Sequence, residues 1–158
     1  MFNIKNYTDT KCELEIAKTR LNWLMDKKAE LYCKYFPISP TLKDVIVDGG
    51  ERSSDKMPEY LHELYELDVG TGMSLAEELQ AQQRKVNMLQ NCINDMNESL
   101  SKMTGIEYQL FYEIIYKGVN VSKAVDNIAI ANEKEPQTIW KNYYKKIKYD
   151  INKIRRYE

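Results

Sequence analysis

Glu135-Pro136-Gln137-Thr138-Ile139-Trp140-Lys141-Asn142-Tyr143-Tyr144-Lys145-Lys146-Ile147-Lys148 opens the last helix of the chain, and its reading decides the final third. Pro136 suits the first helical position, where its missing N–H has no partner within the helix in any case. Ile139, Tyr143, Ile147, Ile151 and Ile154 recur in steps of three and four, so one stripe of this helix is built for burial. The opposite face carries Gln137, Thr138, Lys141, Asn142, Tyr144, Lys145 and Lys148.

Upstream, Thr104-Gly105-Ile106-Glu107 has the form of a capping box, in which a threonine and a glutamate cap each other's backbone N–H. It predicts a helix with Ile106, Leu110, Ile114 and Ile115 on one side and Gly118 as its stop. Ser122 is the expected cap of a second helix, Lys123 to about Asn132, with Val125, Ile128 and Ala129 inward. The short polar turn Glu133-Lys134-Glu135 leads to the third. Residues 104–158 therefore read as a small helix-turn-helix domain ending in a basic helix, the outline of many DNA readers.

Residues 1–103 have a different pattern. Leu14, Ala17, Leu21, Leu24, Lys28, Leu31 and Tyr35 form a heptad-like seam with one polar position, predicting a helix from about Asp9 to Tyr35. Pro37 and Pro40 end it. Residues 36–57, with Gly49-Gly50 and Ser53-Ser54, read as a long mobile loop interrupted by Val45-Ile46-Val47. Helical pattern resumes near Pro58, with Ser54 or Asp55 as the cap and Leu61, Leu64 and Leu67 as the apolar face. Gly70-Thr71-Gly72 and a capping box at Ser74-Leu75-Ala76-Glu77 predict a kink or break. Two glycines alone cost a helix interior only about 2 kcal/mol, so the box is the stronger signal. From Leu75 a second seam runs through Leu79, Gln82, Val86, Leu89, Ile93, Met96, Leu100 and Met103. Two such seams predict an all-α fold, a long antiparallel coiled-coil-like helical hairpin followed by the helix-turn-helix domain.

Only 6 glycines and 4 prolines in 158 residues argue against a turn-rich β fold. No apolar run is long enough to cross a bilayer and Met1 to Thr10 is polar, so a cytoplasmic protein with no membrane partner is expected. Cys12, Cys33 and Cys92 lie far apart and show no metal or redox spacing; they read as reduced, half-buried helix residues. His62 is the only histidine and has no adjacent nucleophile. Glu77-Glu78 reads as solvated helix surface. No phosphate-cradling loop or nucleophile motif appears, so no enzyme activity, metal or cofactor is expected.

The net charge of -1 conceals an asymmetry. From Pro136 onward Lys141, Lys145, Lys146, Lys148, Lys153, Arg155 and Arg156 face only Asp150 and Glu158, whereas the middle of the chain is acidic. A basic tail on an acidic body points to a polyanion met by the tail alone. Gln pairs bidentately with adenine and Lys reaches guanine, so Gln137, Thr138 and Lys141 are the expected base readers. Lys145, Lys146, Lys148, Arg155 and Arg156 are the expected phosphate contacts.

The order of these features, a helix ending at Gly118, a helix from Ser122 through Ile128-Ala129, then Ile139 and a basic helix, resembles the −35-reading C-terminal domain of bacterial sigma factors. With the two long helices and the loop holding Ser54-Asp55-Lys56, nearly the whole chain is similar to small phage proteins of Firmicutes with a helical hairpin and a sigma-like helix-turn-helix, of which the ArpU/RinA-type late regulators are known relatives. That resemblance implies sequence-specific double-stranded DNA binding and transcription control in a phage or prophage, with RNA polymerase or a second copy (a homodimer) as partner of the hairpin. The chain departs from the family pattern at Glu135, where Ser or Thr is usual, and at Pro136. It departs again at Lys146 and Asp150, whose positions are usually small or apolar. A phage terminase small subunit and a coiled-coil interaction protein without DNA binding are the alternative readings.

Overall fold

The computed structural model describes residues 6–36 and 56–157. Regular structure in them is helical apart from one antiparallel bridge between Asp68 and Ser74. The fold is all-α, a long helical hairpin and a small helical domain. The chain divides into two compact units, Met1–Ile16 with Val86–Glu158 and, separately, Ala17–Lys85.

Unit Ala17–Lys85 holds most of α1 (Tyr7–Tyr35), all of α2 (Met57–Glu66) and the start of α3 (Leu75–Lys102). Here α1 and α3 run antiparallel: Leu24 clusters with Leu75, while Arg20, a turn earlier, bonds Glu78, a turn later. The expected α1 seam is the buried one, with Ala17, Leu21, Leu24 and Leu31 all enclosed. Each such side chain contributes roughly 1.5–3 kcal/mol on burial, enough for the seam alone to hold the pairing. Lys28, its polar position, is exposed and lines an apolar groove of about 590 Å³ with Leu21, Met25, Tyr32, Tyr60 and Leu79.

The face of α2 differs from expectation. Tyr60 and Leu64 are buried and Leu61 is 45% exposed, because 60, 64 and 67 give a closer helical stripe than 61, 64 and 67. Tyr60 lies among Tyr32, Tyr35 and Phe36, edge-on to each. The N-cap position is Lys56, which makes no side-chain cap bond, and Pro58 sits in the first turn as expected. Ser54, Asp55 and nearly all of the expected loop lie outside the described residues.

Between α2 and α3 the helix is broken. Asp68 Oδ1 accepts the backbone N–H groups of Gly70, Thr71 and Gly72 at 2.8, 3.2 and 3.1 Å. Those bonds, from Gly70 and Gly72 above all, hold the Asp68 carboxyl below its ordinary range. Gly70 and Gly72 take φ of 90° and 75°, conformations that L side chains rarely adopt. The capping box at Ser74 forms as expected: Ser74 N–H donates to Glu77 Oε2 at 3.0 Å and Glu77 N–H to Ser74 Oγ at 3.3 Å.

Glu78 departs from the solvated-surface reading. It is 2% exposed, accepts Arg20 Nε–H at 2.7 Å and the Thr71 hydroxyl at 2.8 Å, and is buried because α1 lies across that side of α3. The Arg20 bond holds its carboxyl below the ordinary range against the opposing effect of burial. The cysteines differ too: Cys92 is buried, but Cys12 and Cys33 are exposed.

The other unit builds its core from Cys92, Met96 and Met103 of α3 together with the three C-terminal helices. The first is α4 (Gly105–Phe111), continued by a π-helical turn, Tyr112–Tyr116. Thr104 is its N-cap, but the expected box does not close: no side-chain cap bond forms, Gly105 takes φ of 58°, and Glu107 reaches Lys146 instead. Gly118 ends the segment at φ 69°, as expected. The second is α5 (Val121–Ala131), whose cap is Asn120 rather than Ser122: Asn120 Oδ1 accepts the Ser122 N–H at 3.0 Å. Val125, Ile128 and Ala129 point inward as expected, joined by Ala124. The third comprises α6 (Pro136–Ile139), a π-helical turn Trp140–Tyr144 and α7 (Lys145–Ile154) in one continuous run.

Candidate nucleic-acid interface

The turn between α5 and α6 is fixed by its own backbone. Glu133 takes the left-handed φ of 51°, Lys134 N–H bonds the Ala129 carbonyl at 2.9 Å, and Glu133 N–H bonds the Ile130 carbonyl at 3.3 Å. This is a Schellman end, with glutamate where glycine is usual. Asn132 adds side-chain bonds to the Ile128 carbonyl and to Gln109 of α4. Lys134 Nζ donates to the Tyr143 hydroxyl at 3.0 Å and lies over its ring, tying the turn to the helix that follows.

The π turn in that helix has a physical reason. Ile139, Ile147 and Ile151 are all 1% exposed or less, yet they follow one another in multiples of four. Four residues overshoot a 3.6-residue turn, so the stripe would drift around an unbroken α-helix. One wider turn at Trp140–Tyr144 takes up the excess and keeps Ile139 in line with Ile147. Glu135 is the N-cap without a side-chain bond, and Pro136 occupies the first turn.

The opposite face is the candidate interface. Gln137, Lys141, Lys145 and Lys148, spaced i, i+4, i+8 and i+11, are exposed and follow one stripe. At 1.5 Å per residue, residues 137 to 148 cover roughly 16 Å, slightly more than the width of a DNA major groove. Thr138 is half-buried at the edge of this stripe. Lys146 points elsewhere, toward α4, where Nζ lies 3.0 Å from Glu107 Oε1. Arg155 and Arg156 fall in a short 3-10 turn, Arg155–Tyr157, about 27 Å along the helix from Gln137. Arg156 is exposed, while Arg155 is half-buried with Nε enclosed and unbonded among the described residues. Two exposed carboxylates, Glu133 and Glu135, stand in the turn ahead of Gln137.

The far end of the helix is anchored. Asp95 of α3 accepts Lys153 Nζ at 2.7 Å and the Tyr157 hydroxyl at 2.8 Å. Burial pushes the Asp95 carboxyl up, but these bonds outweigh it and leave it below the ordinary range. Lys153 is thereby occupied as a structural cation. Trp140, which the sequence pattern assigns to neither face, is 36% exposed beside Gln137 and Lys141. Its ring meets Tyr144 at 4.6 Å, nearly edge-on. The one signal for it in the sequence is its place directly after the buried Ile139.

Elsewhere, His62 is largely exposed and lies 3.4 Å from Glu66. Among the described residues no group of three or more metal-type side chains gathers, and no helix is long and apolar enough to cross a membrane. Comparison with protein-family models, with curated proteins and with solved structures finds nothing that this chain matches.

Proposed function

We propose that this protein is a sequence-specific double-stranded DNA-binding regulator of transcription in a phage or prophage, acting by binding rather than catalysis. The observation that carries this reading is the exposed stripe Gln137, Lys141, Lys145 and Lys148, backed by a helix whose isoleucine stripe is buried. The helix enters the major groove, Gln137 and Lys141 meet base edges with Thr138 at their side, and Lys145 and Lys148 meet phosphates. Lys146 reaches a phosphate only by leaving Glu107, a partly exposed ion pair worth at most about 1 kcal/mol. Arg155 and Arg156 are placed for the backbone beyond the groove. The paired helices α1 and α3 remain for RNA polymerase or a second copy, in the host cytoplasm where the DNA is.

Titration of duplex binding against salt tests this reading. Five neutralised phosphates give a slope of log K on log salt of about -4 to -5. Lys145→Ala reduces the slope by about 1 and leaves sequence preference alone, whereas Gln137→Ala relaxes preference at one base pair. Binding that shows no salt dependence on any duplex rules the proposal out.

A further inference from the structure

Trp140 is the largest apolar side chain on the reading helix that the buried stripe does not absorb. It is 36% exposed, whereas its neighbour Ile139 is fully enclosed. It lies three residues after Gln137 and one before Lys141, so its indole borders the polar stripe at the end of the helix that enters a groove first. Tyr144 supports the ring from one side at 4.6 Å and 75°, which fixes an apolar edge where a lone exposed tryptophan would swing freely. Lys141, Lys145 and Lys148 run alongside, so the surface that approaches this edge is anionic.

We propose that Trp140, braced by Tyr144, is a specificity-determining residue that reads thymine through its 5-methyl group in the major groove. This rests on the DNA-binding reading above and adds to it a base that the polar stripe cannot recognise. Gln137 and Lys141 address hydrogen-bonding edges of adenine and guanine. The thymine methyl is the apolar feature of the major-groove code, and only a nonpolar surface gains by covering it. An indole edge next to an adenine reader places that recognition at a base pair adjacent to the one Gln137 meets.

The test uses the full chain and a random duplex pool. The enriched duplex is remade with each thymine replaced in turn by deoxyuridine, which removes the methyl and leaves every hydrogen-bonding group. At one position, the replacement weakens binding by the wild-type protein about fourfold, the value of one buried methyl. Trp140→Ala abolishes that discrimination and Trp140→Phe restores part of it, while Lys145→Ala changes the salt slope and keeps it. Circular dichroism confirms that the variants remain folded. If wild-type protein enriches a sequence and binds it with salt dependence but treats thymine and uracil alike, the Trp140 inference is overturned and the reader stands. If no sequence is enriched and binding ignores salt, both fall.

Discussion

A carboxylate that is 2% exposed has lost nearly all of its water, and Glu78 replaces it with the Arg20 guanidinium and the Thr71 hydroxyl. Removing one partner of such a group costs more than the pair contributes, because the remaining polar atoms stay desolvated. Glu78→Ala is expected to lower stability by about 1–3 kcal/mol, read as a shift in the denaturant midpoint at constant slope. The depressed Glu78 carboxyl also sets a pH dependence. A carboxyl held below its unfolded value gives stability that is complete above the unfolded value and is lost as pH falls through the folded one. Wild-type stability therefore declines below about pH 4, and Glu78→Gln declines less steeply over the same interval. Equal slopes for the two proteins would show that Glu78 contributes nothing to acid unfolding. In sequence Glu78 looks the same as its exposed neighbour Glu77, since a helical wheel places both on the side away from Leu75 and Leu79. Only the arrival of α1 with Arg20 separates them, and that is a long-range event no local pattern records.

Among the elements, those specified by periodicity were legible and those specified by caps were legible only to within a turn. The seam through Leu14, Leu21, Leu24 and Leu31 and the stripe through Ile139, Ile147 and Ile151 are buried as their spacing requires. The break before α3 was legible because Asp68, two glycines and a capping box agree. The start of α5 was placed two residues late, because Asn120 and Ser122 are both good caps and only geometry selects between them. That choice is measurable. Asn120→Ala is expected to cost about 1 kcal/mol through loss of the bond to the Ser122 N–H, while Ser122→Ala is nearly neutral. A larger effect at Ser122 would return the cap to that residue. The candidate interface was legible as chemistry, since Gln137, Lys141, Lys145 and Lys148 share a face. The π turn was not legible, yet it decides how Trp140 sits beside them.

At the scale of the molecule, the C-terminal helices do not enclose a core by themselves. Cys92, Met96 and Met103 of α3 belong to the same apolar cluster as Leu110, Phe111, Ile147 and Ile151. Asp95 fastens the end of the reading helix through Lys153 and Tyr157. The first residues of the chain join the same unit: Tyr7 stacks on Tyr116 at 4.5 Å, and Asn6 lies where a Cβ on Gly118 would meet it at 3.0 Å. Burial beneath Tyr7, with Tyr108 and Tyr112 also near, raises the Tyr116 hydroxyl to about 12. Losing the three α3 side chains exposes apolar area worth roughly 1.5–3 kcal/mol for each, which together approaches the whole stability of a small domain. A fragment of residues 104–158 is therefore expected to unfold without a cooperative thermal transition, whereas residues 86–158 retain one at reduced midpoint. Joining residues 6–16 to the longer fragment through a flexible linker should raise that midpoint, because Tyr7 again covers Tyr116. Differential scanning calorimetry of the three fragments decides the matter. A sharp transition in 104–158 alone would mean that the reader needs no support from α3, and that the Asp95 anchor serves some purpose other than stability.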